Sequence, residues 1–202
     1  MSQVTYDVYR GSQNRWPVLH TITRTIQPSE VFVKITHSGI CSTDMHCIQD
    51  EIALGHEGRD QYCPHVELYG WHAHDTGSFA TGTVCDQTSL EHIPKDIDSA
   101  DAAPLMCAGA TVWEILSKPS ISHGDRVGVL GIGGLGHLAV KIGAQMGYHV
   151  VVLSSSEAKR DEAMKFGAKE FHVLHRGEPV SEEIAPLNHL LLCTSGRVNY
   201  DQ

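Results

Sequence analysis

Residues 125–137 read DRVGVLGIGGLGH. A short β-rich run, Arg126–Leu130, leads into Gly131, Gly133 and Gly136 in the order G-x-G-x-x-G. Helical spacing follows at Leu135, Leu138, Ala139, Ile142 and Met146. The glycine pattern alone is weak; between a strand and a helix it is specific. The first glycine allows a tight turn, the second lets backbone approach a pyrophosphate, and the third lets helix and strand pack closely. The pyrophosphate then lies at the positive end of the helix dipole. Gly131, Gly133, Gly134, Leu135 and Gly136 are therefore candidate cofactor-binding residues. A tight turn with no ligand is the plainer alternative.

Downstream the alternation continues. His149–Leu153 predicts a strand, Glu157–Phe166 a helix closed by Gly167, and Glu170–Leu174 and His189–Cys193 two more strands. Strand–helix alternation implies a parallel sheet with right-handed crossovers. Upstream of Lys118 the composition differs. Short strand-like runs stand between turn signals: Val31, Val33 and Ile35 alternate with Phe32, Lys34 and Thr36, and Phe79–Val84 is a weaker candidate. Two domains are expected, residues 1–117 and 118–202.

The end of the second strand bears on cofactor choice. An NAD-preferring sheet usually places an acid there to bind the ribose hydroxyls. Here the sequence is Leu153-Ser154-Ser155-Ser156-Glu157-Ala158-Lys159-Arg160. Three hydroxyls, with two cations a helical turn on, suit a 2′-phosphate and predict NADP(H). Ser154, Ser155, Ser156 and Lys159 are the candidates. Ser154 and Glu157 also fit a helix capping box, and both readings stay open.

The totals set bounds. A chain of 202 residues with 41% apolar and 19% charged residues can bury a real core. A net charge of −9 without a basic run disfavours nucleic acid or an anionic membrane surface as partner. The start MSQVTYDVYRG has no signal pattern, and no run of about 18 apolar residues exists, so a cytoplasmic location is expected. The six cysteines, Cys41, Cys47, Cys63, Cys85, Cys107 and Cys193, form no C-x-x-C pair. Metal binding or plain burial is expected of them rather than a disulfide framework.

Three further segments carry a resemblance: Gly39-Ile40-Cys41-Ser42-Thr43-Asp44-Met45-His46, then Leu54-Gly55-His56-Glu57-Gly58, then Pro104-Leu105-Met106-Cys107-Ala108-Gly109-Ala110-Thr111. With the glycine loop and the serine run in order, the chain resembles the medium-chain zinc alcohol dehydrogenases, of the cinnamyl-alcohol type that uses NADP. The resemblance implies an α/β fold: a partial GroES-like β-rich catalytic domain, then a truncated Rossmann doubly wound parallel sheet. It implies Cys41, His56 and Cys107 as ligands of one catalytic Zn²⁺, with Glu57 as an outer or occasional ligand. Three protein ligands and an open position mark a catalytic rather than a structural site. Thr43 and His46 resemble the family's proton relay, Asp44 would orient its neighbours, and Thr111 would lie near the nicotinamide. The implied reaction moves a hydride between NADP(H) and a small primary alcohol or aldehyde, and a specialised biosynthetic pathway is one setting for it.

The resemblance breaks at Gly58/Arg59. Relatives carry further strands and a four-cysteine lobe there; this chain keeps a match only to the last cysteine, in Arg59-Asp60-Gln61-Tyr62-Cys63-Pro64-His65. An internal deletion is expected, and no structural zinc. Relatives also continue beyond the fourth strand, through the edge that makes their homodimer; that edge is expected to be missing. Two readings follow: a zinc- and NADP-dependent dehydrogenase, or a remnant that binds nucleotide or zinc without turnover. A zinc-free reductase-like relative is disfavoured by the ligand set.

Overall fold

The computed structural model describes residues 2–10, 16–39, 53–54, 67–68, 75, 77–175 and 177–194. Contacts divide the chain into two units, Met1–Pro104 and Leu105–Gln202.

The first unit is built from short antiparallel pairs. Strands β1 (Gln3–Arg10) and β2 (Val18–Thr25) pair with Tyr6 opposite Ile22 and Val8 opposite His20. Period-2 alternation puts Tyr6 and Val8 inward, where they form a small core with Val84. Strand β3 (Glu30–Lys34) pairs with β6 (Gly82–Asp86), Val31 opposite Cys85 and Val33 opposite Thr83. The alternation expected at Val31 and Val33 is present: both are half-buried, while Phe32 and Lys34 are exposed. The strand expected at Phe79–Val84 starts later, at Gly82, because Ala80 makes only an isolated bridge to Val8. Arg24 donates to the Glu30 carboxylate and to the Val84 carbonyl, tying β2 to both strands. Strands β4 (Ala53–Leu54) and β5 (Glu67–Leu68) form a minimal pair. Helix α1 (Ser99–Ala102) is capped by the Asp98 carboxylate, which accepts from the Ala100 N–H at 2.8 Å.

The second unit begins with α2 (Ala108–Leu116). It then forms a parallel sheet of β7 (Arg126–Leu130), β8 (His149–Ser154), β9 (Glu170–Val173) and β10 (His189–Leu192). The spatial order is β10-β7-β8-β9, so the strand before the glycine loop lies centrally. Val150, Val151 and Val152 are fully buried, as expected of a strand covered on both faces. Helix α3 (Gly134–Gln145) buries Ala139 and Val140 against the sheet. Val112 and Leu116 of α2 enter that same core. The Leu116 carbonyl at the C-terminal end of α2 accepts from the Tyr148 hydroxyl at 2.7 Å, which satisfies a group a helix end leaves open. The helix expected over Glu157–Phe166 is a 3₁₀ turn, Glu157–Lys159, running into α4 (Arg160–Phe166), which ends at Gly167. Among the described residues no helix is long and apolar enough to cross a membrane.

Candidate dinucleotide and metal site

The turn from β7 into α3 depends on two glycines. Gly131 has φ +90°, a left-handed conformation that side chains disfavour. A Cβ on Gly136 would stand 1.9 Å from the Gly131 carbonyl oxygen, so no larger residue fits there. Gly133 is the N-cap and offers no side-chain acceptor to the first turn of α3. Gly133 and Gly134 are exposed, and a Cβ on either would meet nothing within 4 Å. Open space, uncapped N–H groups and the helix dipole together suit a phosphate. Leu135 is exposed at 39% on the same turn.

The serine run follows β8 at the same end of the sheet, next to the loop: Gly131 N–H donates to the Leu153 carbonyl at 2.9 Å. Ser154 is the last strand residue and is buried; its hydroxyl donates to the Ser156 carbonyl and accepts from the Ser156 N–H. Ser156 is the N-cap of the 3₁₀ turn, accepting from the Ala158 N–H at 3.2 Å. The capping box expected from Ser154 and Glu157 is thus replaced by a cap at Ser156, because Ser154 is still held in β8 opposite Val173. Ser155 and Ser156 are exposed. Lys159 reaches back across the mouth of the loop, its ammonium donating to the Ile132 carbonyl at 3.0 Å. Arg160 turns away, pairing with Glu157 and donating to the Phe171 carbonyl at 2.8 Å. This pair lines a cavity of about 420 Å³ with Phe171, His172 and His175. Hydrogen bonds from Arg160 hold the Glu157 carboxyl below its ordinary range. The donor set at the end of β8 therefore fits a phosphorylated ribose: two exposed hydroxyls, one ammonium, and the nearest carboxylate occupied by a guanidinium.

Cys193, expected either to bind metal or to be buried, is half-buried, and its side chain comes within 3.5 Å of a Cβ placed on Gly136. Burial pushes its thiol up.

Of the expected metal ligands, Cys107 is described. It is exposed and stands at the N-cap of α2, with no side-chain cap bond. Thr111, expected near the nicotinamide, lies one turn on; its N–H donates to the Cys107 carbonyl at 2.9 Å. Cys41, Thr43, Asp44, His46, His56, Glu57 and the Gly58/Arg59 junction lie outside the described residues. Among the described residues no three His, Cys, Asp or Glu side chains come together to hold a metal. An exposed, uncapped thiol fits a zinc ligand in kind, since zinc takes thiolate.

No family model matches the chain. A probable cinnamyl alcohol dehydrogenase of Populus deltoides is 31% identical over 220 residues, covering 83% of this chain and 62% of that protein. Cinnamyl alcohol dehydrogenase 5 of Arabidopsis thaliana is 31% identical, covering 84% of this chain and 61% of the relative. The chain thus spans less than two thirds of the length of these relatives. Among solved structures, a cinnamyl alcohol dehydrogenase from Sorghum bicolor aligns with TM-score 0.72 and 26% identity, over 86% of this chain and 65% of that one. The fold is accordingly a partial GroES-like and Rossmann α/β arrangement.

Proposed function

Because the chain belongs to the zinc-dependent medium-chain alcohol dehydrogenases, on their cinnamyl-alcohol-dehydrogenase side, we propose that it interconverts a primary alcohol and an aldehyde with NADP(H). One observation carries the cofactor choice: Lys159 lies against the glycine loop, beside exposed Ser155 and Ser156, and the acid that follows the serines, Glu157, is paired with Arg160. The N–H groups of α3's first turn bind the pyrophosphate, and Ser155, Ser156 and Lys159 bind the 2′-phosphate. Leu135 covers the phosphate turn, and Thr111 borders the nicotinamide. Cys41, His56 and Cys107 hold one Zn²⁺, with Glu57 beside them. Bound zinc supplies a Lewis acid at the substrate oxygen, and NADP(H) carries the hydride. Thr43 takes the alcohol proton and passes it outward to His46, while Asp44 orients the relay. The cinnamyl-type relatives support an apolar or aromatic tail on the substrate, and a specialised biosynthetic pathway is one setting for it.

A second reading, binding without turnover, has one observation in its favour. Leu190 and Leu192 are 50% and 45% exposed on β10, which pairs only with β7 among the described residues. Native mass spectrometry of the purified chain tests the metal centre. One zinc per chain, lost in Cys41→Ser and in Cys107→Ser, supports the enzyme. No zinc removes the catalytic reading and leaves at most nucleotide binding.

A further inference from the structure

The run after β8 contains an acid that the NADP reading does not use. Glu157 follows the third serine directly. A carboxylate near this strand end ordinarily selects against a 2′-phosphate, by repulsion and by competing for the ribose hydroxyls. Here both carboxylate oxygens are engaged by Arg160, one at 3.0 Å from a terminal guanidinium nitrogen and the other by Nε. Arg160 is itself anchored. Its guanidinium carbon stands 4.8 Å from the Phe171 ring centre, and its other terminal nitrogen donates to the Phe171 carbonyl. The two neighbouring cations thus divide: Lys159 faces the glycine loop, and Arg160 faces Glu157 and β9. The division falls at the junction of the 3₁₀ turn with α4, where Lys159 stands outside α-helical geometry at φ −107° and ψ 9° and Arg160 begins the helix.

We infer that Arg160 is a positioning residue for cofactor choice: by engaging Glu157 and anchoring it to β9, it keeps that carboxylate away from the 2′-phosphate bound by Ser155, Ser156 and Lys159. This rests on the NADP reading above. Arg160 does not touch the phosphate. Its effect on the phosphate passes entirely through Glu157, so it vanishes when Glu157 carries no charge.

The test uses the full chain and two probes that differ only in the 2′-phosphate, 2′,5′-ADP and 5′-AMP, titrated calorimetrically at low salt. The ratio of their affinities is the readout, and a general structural loss would move both probes together. Wild type prefers 2′,5′-ADP. Arg160→Met lowers that preference roughly five- to tenfold by freeing one negative charge nearby, with 5′-AMP unchanged. Glu157→Gln/Arg160→Met restores the preference, and Glu157→Gln alone keeps it. If the double variant remains as low as Arg160→Met, Arg160 binds the phosphate directly and the inference is overturned. If Arg160→Met does not fold, the single Glu157→Gln variant decides: preference kept supports the inference, and a fall overturns it. Equal affinity of the two probes in wild type overturns the NADP reading and the inference with it. A wild-type preference that persists undiminished in a folded Arg160→Met overturns the inference alone.

Discussion

The Lys159 ammonium donates to the Ile132 carbonyl at 3.0 Å, joining the turn after β8 to the loop after β7. In the proposed NADP reading this lysine binds the 2′-phosphate. Lys159→Met is expected to weaken 2′,5′-ADP binding about tenfold, the worth of one charge-assisted hydrogen bond. Binding of 5′-AMP stays nearly unchanged. Calorimetric titration of both probes checks this, and the loss shrinks as salt rises.

Gly136 allows no side chain, because its Cβ would meet the Gly131 carbonyl oxygen at 1.9 Å. Gly136→Ala must push α3 off the sheet. The expected cost is about 1–3 kcal/mol in urea unfolding, with loss of 5′-AMP binding as well. A variant of unchanged stability and affinity would mean that the loop yields freely.

The core of the second unit is a separate matter from its ligand. Val151 is fully buried at the centre of β8. Val151→Ala is expected to cost about 1.5–3 kcal/mol in denaturant unfolding. The 2′,5′-ADP to 5′-AMP affinity ratio stays as in wild type, because the site lies beyond the strand end.

Legibility followed hydrophobic period. The parallel sheet was readable because β7 and β8 are short apolar runs bounded by glycine or serine turns. Strand β2 was not, since its outer half is exposed at Val18, Leu19, His20 and Thr21 and its register comes from pairing with β1. Helix α2 was missed too. It follows Pro104 and includes three β-branched residues, Thr111, Val112 and Ile115, and only Gly109, Val112 and Leu116 are buried on it. At the site, the glycine loop and Lys159 could be read from spacing. The exchange of the cap from Ser154 to Ser156 could not, because it depends on how far β8 pairs with β9.

Glu170 on β9 gathers three partners. Arg126 donates to it through both terminal nitrogens, His149 Nε2 lies at 2.7 Å and His172 Nε2 at 3.1 Å. Hydrogen bonds from Arg126 first, then His172 and His149, hold its carboxyl well below the ordinary 4.5. A folded-state pKa below the unfolded one contributes stability at pH above the unfolded value, and that contribution is lost as pH falls further. Glu170→Gln is therefore expected to be less stable than wild type at neutral pH. The gap narrows as pH drops below about 4.5, since both chains are then uncharged in the unfolded state at this position. Urea midpoints across pH check it; a gap that stays constant would mean the carboxylate charge plays no part.

A zinc-loaded chain is expected to transfer a hydride from NADPH to an aldehyde. The direct measurement follows nicotinamide absorbance while purified chain, NADPH and cinnamaldehyde are mixed, before and after zinc chelation. NADPH consumption that stops with the chelator, returns with added zinc and is absent in Cys107→Ser is the predicted result. A chain that holds zinc and NADPH yet consumes none would contradict it and leave a binding protein built on a dehydrogenase fold.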